Sequence, residues 1–245
     1  MSLLFSPTLA CLVTALAVAQ PSLTAGVQAQ ADSNPVLGLP VVEVPTGTSA
    51  TSTLGVILSG DGGWAAGDKA MASTLADSGV AVVGVDVPSY LQVKRTPDGA
   101  ADDMGRLLHH YLDAWHKDRV ILVGYSHGAD IVPFIASRLP LDLRNRIDLI
   151  ALLGLEYNAS FEFHLADIVA DISHEGSLPV LPELEKLRGM PILCVRGADE
   201  AHSLCGSLSP SLARVETRPG GHRIPGSEGR ATADLILAAA RSLHR

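Results

Sequence analysis

The stretch Val120-Ile121-Leu122-Val123-Gly124-Tyr125-Ser126-His127-Gly128-Ala129-Asp130 constrains this chain more than any other. An apolar, β-branched run breaks at Gly-x-Ser-x-Gly and continues as a helical run from Ala129 to Arg138. The pattern reads as a strand, a sharp turn and a helix, with the serine at the top of the turn. Strand and helix backbones crowd there, so Gly124 and Gly128 must lack side chains. The turn lifts the Ser126 hydroxyl above the sheet and presents the backbone N–H of His127 to a substrate oxygen, as half of an oxyanion hole. Gly-x-Ser-x-Gly alone recurs by chance in a chain rich in glycine and serine, and the strand before it and the helix after it give it weight here. Pro133 falls inside the helical run and should bend it.

With 245 residues, 47% of them hydrophobic, the chain can bury one large core, and nothing marks a second domain. A formal net charge of −8 without a dense Lys/Arg cluster excludes nucleic acid as a direct ligand. Leu9 to Ala19 is an apolar stretch of signal-peptide length, followed by a small, polar run to Asp32. Residues 1–31 are therefore expected to be a signal peptide cleaved after Ala29 or Ala31, leaving a periplasmic chain. No Lys or Arg precedes Lys69, so the basic n-region is missing and a disordered start is the other reading. The apolar run is shorter than a spanning helix. Cleavage removes Cys11 and leaves Cys194 and Cys205 as an even pair in an exported protein. They can bridge, or stand as two unrelated buried thiols, because spacing does not prove geometry.

A Pro-, Thr- and Ser-rich linker over 32–53 contains an edge-strand candidate at Val41 to Val44. From 54 to 245, strands at Leu54 to Leu58, Val80 to Val85, Ile147 to Leu153, Met190 to Val195 and Ala213 to Thr217 join the strand before Ser126. Helices at Asp68 to Asp77, from Pro97 onward, after Ser126 and at Arg230 to Leu243 alternate with them. This alternation requires a mainly parallel sheet with helices on both faces. Together with the serine turn it predicts an α/β-hydrolase fold. Between Leu155 and Leu187 the periodicity lapses, and a small cap over the site is expected, with plain surface loops as the alternative.

Ser59-Gly60-Asp61-Gly62-Gly63-Trp64 follows the first core strand, where glycine lets backbone N–H groups approach a substrate oxygen; the N–H of Asp61 or Gly62 is the second oxyanion candidate. A phosphate-cradling loop would need a following Gly-Lys-Ser/Thr, which is absent. Trp64 either lines the pocket or packs in the core. In this architecture the triad partners arrive in the order serine, acid, histidine, which gives Ser126, Asp199 and His222. His222 follows the last strand behind Gly220-Gly221. Asp199 follows the preceding strand, and Glu156, after the strand before that, is the alternative acid. A Cys194–Cys205 bridge would close a short loop around Asp199. His109, His110 and His116 lack matching metal-ligand spacing, so no metal or cofactor is expected.

Five segments, Ser59 to Trp64, Gly124 to Asp130 with Pro133-Phe134, Leu152 to Leu155 with Phe161 to His164, Gly197 to Glu200 with Cys205, and Gly220 to His222, together resemble the bacterial virulence protein VirJ family. The likeness runs from about Leu54 to the C-terminus. It implies a periplasmic protein of a family linked to type IV secretion that includes hydrolases of aminoacylated phosphatidylglycerol, with Ser126, Asp199 and His222 on the family's triad. The reaction implied is hydrolysis of the aminoacyl ester of lysyl- or alanyl-phosphatidylglycerol at the inner-membrane surface. Alternatives are a non-catalytic accessory that binds components of a secretion machine, or a general carboxylesterase. A substrate ammonium drawn from water needs an acidic neighbour, and Asp61, Asp130, Glu156 and Glu162 are encoded near the proposed site. Phe161 and Phe163 either touch the membrane interface or belong to the core.

Overall fold

Ten strands and seven helices follow one another among residues 35–47, 50–162 and 176–243, which the computed structural model describes. The expected leader lies outside the described residues, all of which fall in one compact unit, Ala31–Arg245. The strands are β1 Pro35–Val36, β2 Leu39–Val44, β3 Thr53–Leu58, β4 Ala81–Val85, β5 Arg119–Tyr125, β6 Ile147–Leu153, β7 Asn158–Ala159, β8 Leu178–Pro179, β9 Ile192–Gly197 and β10 Arg214–Arg218. The helices are α1 Ala66–Asp77, α2 Val87–Tyr90, α3 Pro97–Ala114, α4 His127–Arg138, α5 Leu141–Arg144, α6 Leu181–Lys186 and α7 Gly226–Ser242.

The main sheet has the order β1-β2-β4-β3-β5-β6-β9-β10. It is parallel from β4 through β10, and β2, which contains the expected edge segment, lies antiparallel on β4. Period-two alternation splits each central strand between two cores. Val120 and Leu122 of β5 face one core with Leu107, Leu108 and Ile131 of α3 and α4. Ile121 and Val123 face the other with Met71, Leu75 and Ile236 of α1 and α7. Helices thus cover both faces, as expected. Thr96 caps α3 by accepting the Gly99 N–H at 3.0 Å, and Pro97 occupies its first turn. Pro133 removes one ladder bond inside α4, yet the helix runs on to Arg138.

From β3 the chain passes to β4 on one side, and β5 pairs with β3 on the other, Leu58 opposite Gly124. This reversal opens a crevice at the carboxyl ends of β3 and β5, where α/β sheets bind ligands.

Where it is described, the segment expected to be a cap sends its apolar residues into the core, while Glu156, Tyr157, Asn158, Ser160 and Ser177 line the cleft around Ser126. Leu155, Ala159, Phe161, Val180, Leu184 and Leu187 are buried in the α3/α4 cluster, and Phe161 meets Phe134 edge-on at 5.4 Å. Glu183 of α6 is tied to Arg138 at 2.8 Å and to Ser137 at 2.7 Å. Burial opposes the charge on Glu183, but Arg138, Lys186 and Ser137 outweigh it and hold the carboxyl down at about 2. The middle of the expected cap, 163–175 with Phe163 and His164, lies outside the described residues. Among the described residues no helix is long and apolar enough to cross a membrane.

Candidate active site

Ser126 stands between β5 and α4 with φ 53°, one of three non-glycine residues with positive φ among those described. Such a conformation costs on the order of 1–3 kcal/mol and persists only where the surroundings enforce it. Both elbow glycines are enforced by packing. A Cβ on Gly124 would lie 2.5 Å from the Gly128 carbonyl oxygen, and one on Gly128 would lie 2.2 Å from that of Leu58.

His222 reaches this serine from the loop after β10. Its Nε2 lies 2.7 Å from Ser126 Oγ, and its Nδ1 lies 2.7 Å from Glu200 Oε1. Four carbonyls in this loop are gathered by one side chain that the sequence reading passed over. The guanidinium of Arg218, at the end of β10, donates to the carbonyls of Pro219 at 3.0 Å, His222 at 3.0 Å and Arg223 at 2.8 Å, and to that of Gly221. Tyr125 also helps: its hydroxyl accepts the Ile224 N–H at 3.0 Å, and its ring stacks on His222 with centroids 6.1 Å apart.

The expected acid, Asp199, is not the residue against His222. The backbone turns sharply after β9, with the Glu200 N–H bonded to the Gly197 carbonyl at 3.2 Å. That turn folds the Glu200 side chain back, so Oε2 accepts the Gly197 N–H at 2.9 Å while Oε1 faces the imidazole. Asp199 is left exposed on the outside of the turn, its N–H tied to the Gly220 carbonyl at 3.0 Å. Glu156, the alternative acid, flanks the same ring at 3.9 Å from Nδ1. Burial opposes the charge on Glu200, but His222 and the Gly197 N–H outweigh it and hold its carboxyl below the usual range. The hydrogen bond His222 donates to Glu200, helped by the carboxylate's charge, raises the imidazole above its usual value against burial. Cys194 and Cys205 are bridged, with Cα atoms 5.5 Å apart, and the closed loop carries both Asp199 and Glu200.

Gly60 to Gly63 form a turn closed by the Gly63 N–H on the Gly60 carbonyl at 3.0 Å, leaving the N–H groups of Asp61 and Gly62 outside that bond. The turn abuts the elbow serine: a Cβ on Gly60 would lie 3.0 Å from Ser126 Cβ. The Trp64 N–H donates to Asp86 at 2.9 Å and anchors the loop's far end. The Trp64 ring itself packs over Gly84 of β4, beside the α1/α7 core.

Around these groups lies an open cleft of about 1410 Å³ whose walls include Asp61, Asp68, Asp130, Glu156 and Glu228. Asp130, in the first turn of α4, accepts the Glu156 N–H at 2.8 Å, and burial pushes its carboxyl up to about 8. Asp68 accepts the Ala65 N–H at 3.1 Å, its other oxygen is buried without a partner, and burial pushes it up to about 6. Glu156, Glu200 and His222 have donor atoms within 4.8 Å of one another. Both His222 nitrogens are already engaged, so a cation there would have to displace Glu200 or Ser126.

The sequence model of one family, described as Bacterial virulence protein (VirJ), matches residues 52–243. No curated protein matches the sequence. Several solved structures are similar. Est1E from Butyrivibrio proteoclasticus, with ferulic acid bound, aligns with a TM-score of 0.61 at 14% identity, covering 84% of this chain and 96% of its own. MenH from S. aureus gives 0.58 at 12% identity over 84% and 99%. The thioesterase domain from the curacin biosynthetic pathway gives 0.56 at 16% identity over 80% and 94%. At these identities the likeness establishes the fold, which is that of the α/β-hydrolases.

Proposed function

We propose a serine-esterase reaction for this chain, which belongs to the bacterial virulence protein (VirJ) family. The observation that carries the reading is the continuous line from Ser126 Oγ through both nitrogens of His222 to Glu200, each contact at 2.7 Å. His222 Nε2 takes the Ser126 proton as Oγ attacks an ester carbonyl, and Glu200 stabilises the imidazolium that forms. Charge developing on the carbonyl oxygen is met by the N–H of His127 and by that of Asp61 or Gly62. His222 then returns the proton to the departing alcohol, leaving an acyl group on Ser126. Water, deprotonated by the same imidazole, attacks the acyl-enzyme and releases the acid.

The substrate we propose is the aminoacyl ester of lysyl- or alanyl-phosphatidylglycerol, met at the outer face of the inner membrane by an exported enzyme. Family membership supports this, and so does the acidic wall of the cleft, because an ammonium leaving water needs carboxylates beside it. The test is to incubate the purified mature protein with lysyl-phosphatidylglycerol vesicles and identify products by mass spectrometry. The expected result is free lysine and intact phosphatidylglycerol, both lost in Ser126→Ala. Release of fatty acid instead, or undiminished turnover by Ser126→Ala, would overturn the proposal.

A further inference from the structure

The reaction above uses the backbone of His127 and leaves its side chain without a role, yet that ring is buried and fully engaged. Nδ1 lies 2.8 Å from Asp61 Oδ1, and Nε2 lies 2.7 Å from the Ser160 carbonyl oxygen. A carbonyl oxygen can only accept, so Nε2 carries a proton. The carboxylate opposite Nδ1 also accepts, and a ring with an acceptor at each nitrogen is satisfied at both only as the imidazolium.

The charged groups facing the ring agree with this assignment. Asp61 approaches from the loop after β3, and Asp130 lies on α4 itself. Burial opposes the charge, but Asp61, the Ser160 carbonyl and Asp130 outweigh it and hold the imidazole above its usual value. The ring therefore joins three parts of the site: the elbow that carries it, the Gly60–Gly63 turn through Asp61, and the chain after β7 through Ser160.

We propose that His127 is a positioning residue whose imidazolium clamps the Asp61 turn to the nucleophile elbow, and that loss of its proton releases the turn and lowers esterase activity at alkaline pH. Without the Nδ1 proton, two acceptors face each other across 2.8 Å. The Asp61 side chain is repelled, and the backbone N–H groups of Asp61 and Gly62 leave the oxyanion position with it. An interaction made only in the transition state is lost, so kcat falls while KM holds. The sign follows from the two histidines: His222 must be neutral, which gives activity above its pKa, and His127 must be charged, which gives activity below its own.

The activity arm of the test rests on the serine-esterase reading, whereas the spectroscopic arm does not. The full chain, labelled with ¹⁵N, is titrated from pH 5 to 10 by NMR, and kcat and KM for a p-nitrophenyl ester are measured over the same range. The expected result is a His127 ring protonated on both nitrogens at pH 7, whose titration coincides with the alkaline fall in kcat and with shifts of the Asp61 and Gly62 amides. In Asp61→Asn the side-chain amide can donate to Nδ1 of a neutral ring, so the alkaline limb should vanish whatever the absolute rate. His127→Phe should lower kcat on the order of 10- to 100-fold at neutral pH and have no such limb. A neutral His127 at pH 7, or an unchanged limb in Asp61→Asn, would overturn the clamp. If the wild type cleaves no ester, the esterase reading fails; the clamp then stands if the Asp61 and Gly62 amides move with the His127 titration, and falls if they do not.

Discussion

Glu200 Oε1 and His222 Nδ1 lie 2.7 Å apart, and the opposite edge of the same imidazole meets Ser126 Oγ at 2.7 Å. Glu200→Gln should therefore lower kcat/KM by roughly 10³–10⁴-fold, because the amide favours the wrong tautomer and cannot stabilise an imidazolium. Asp199→Asn, altered on the outside of the turn, should change it by no more than a few-fold. Steady-state kinetics on any cleaved ester separates the two, and the reverse ranking would return the acid's role to Asp199.

The raised His222 and lowered Glu200 predict how activity and stability respond to pH. The rising limb of kcat/KM should lie above the usual imidazole value of about 6.5 and move down in Glu200→Gln. For stability, His222 contributes fully below its unfolded pKa, and the contribution is lost as pH rises through its folded value. Glu200 contributes above its unfolded pKa and loses that contribution as pH falls through its folded value. The pair thus stabilises most in the weakly acidic range. Urea melts of wild type and Glu200→Gln between pH 3 and 9 should differ most there.

Reducing the Cys194–Cys205 bridge should destabilise the protein by roughly 3 kcal/mol, the chain-entropy value for a loop of this order. It should also slow catalysis, since the loop so closed holds Glu200 in place. Thermal melts and activity with and without dithiothreitol test both. A lowered Tm with unaltered kcat would show that the bridge stabilises without positioning the acid.

Ser126→Gly should melt at a higher temperature than Ser126→Ala, although neither should turn over an ester. Alanine inherits the positive φ and its cost, whereas glycine adopts that backbone freely. Equal melting temperatures would show that the elbow is not strained.

The serine turn, the parallel sheet and its alternating helices were legible in the sequence because each rests on a local pattern: the glycines around Ser126, the β-branched runs, and the helical stripe from Pro97. Glu200 was legible only as a neighbour of Asp199. Choosing between adjacent acids needs the direction of one turn, and the signal was present in Gly197, three residues before the acid, where a turn closing back on the strand brings the fourth side chain inward. Arg218 carried no signal, since an arginine ending a strand ordinarily reads as surface and its carbonyl partners exist only once the loop has folded. The ring partners of His127 come from Asp61 and Ser160, 66 and 33 residues away, a juxtaposition no local pattern encodes.

The acidic wall of the cleft also bears on what happens after bond cleavage. An ester carries no charge at its carbonyl, but its hydrolysis would leave a carboxylate in the cleft lined by Glu156 and Glu200. Like charges at close range in a partly desolvated cleft repel, so these groups oppose retention of the acid end of a product. Inhibition by simple carboxylates such as acetate should be weak at neutral pH and strengthen with added salt or acid, and the back-reaction should have little hold on the enzyme.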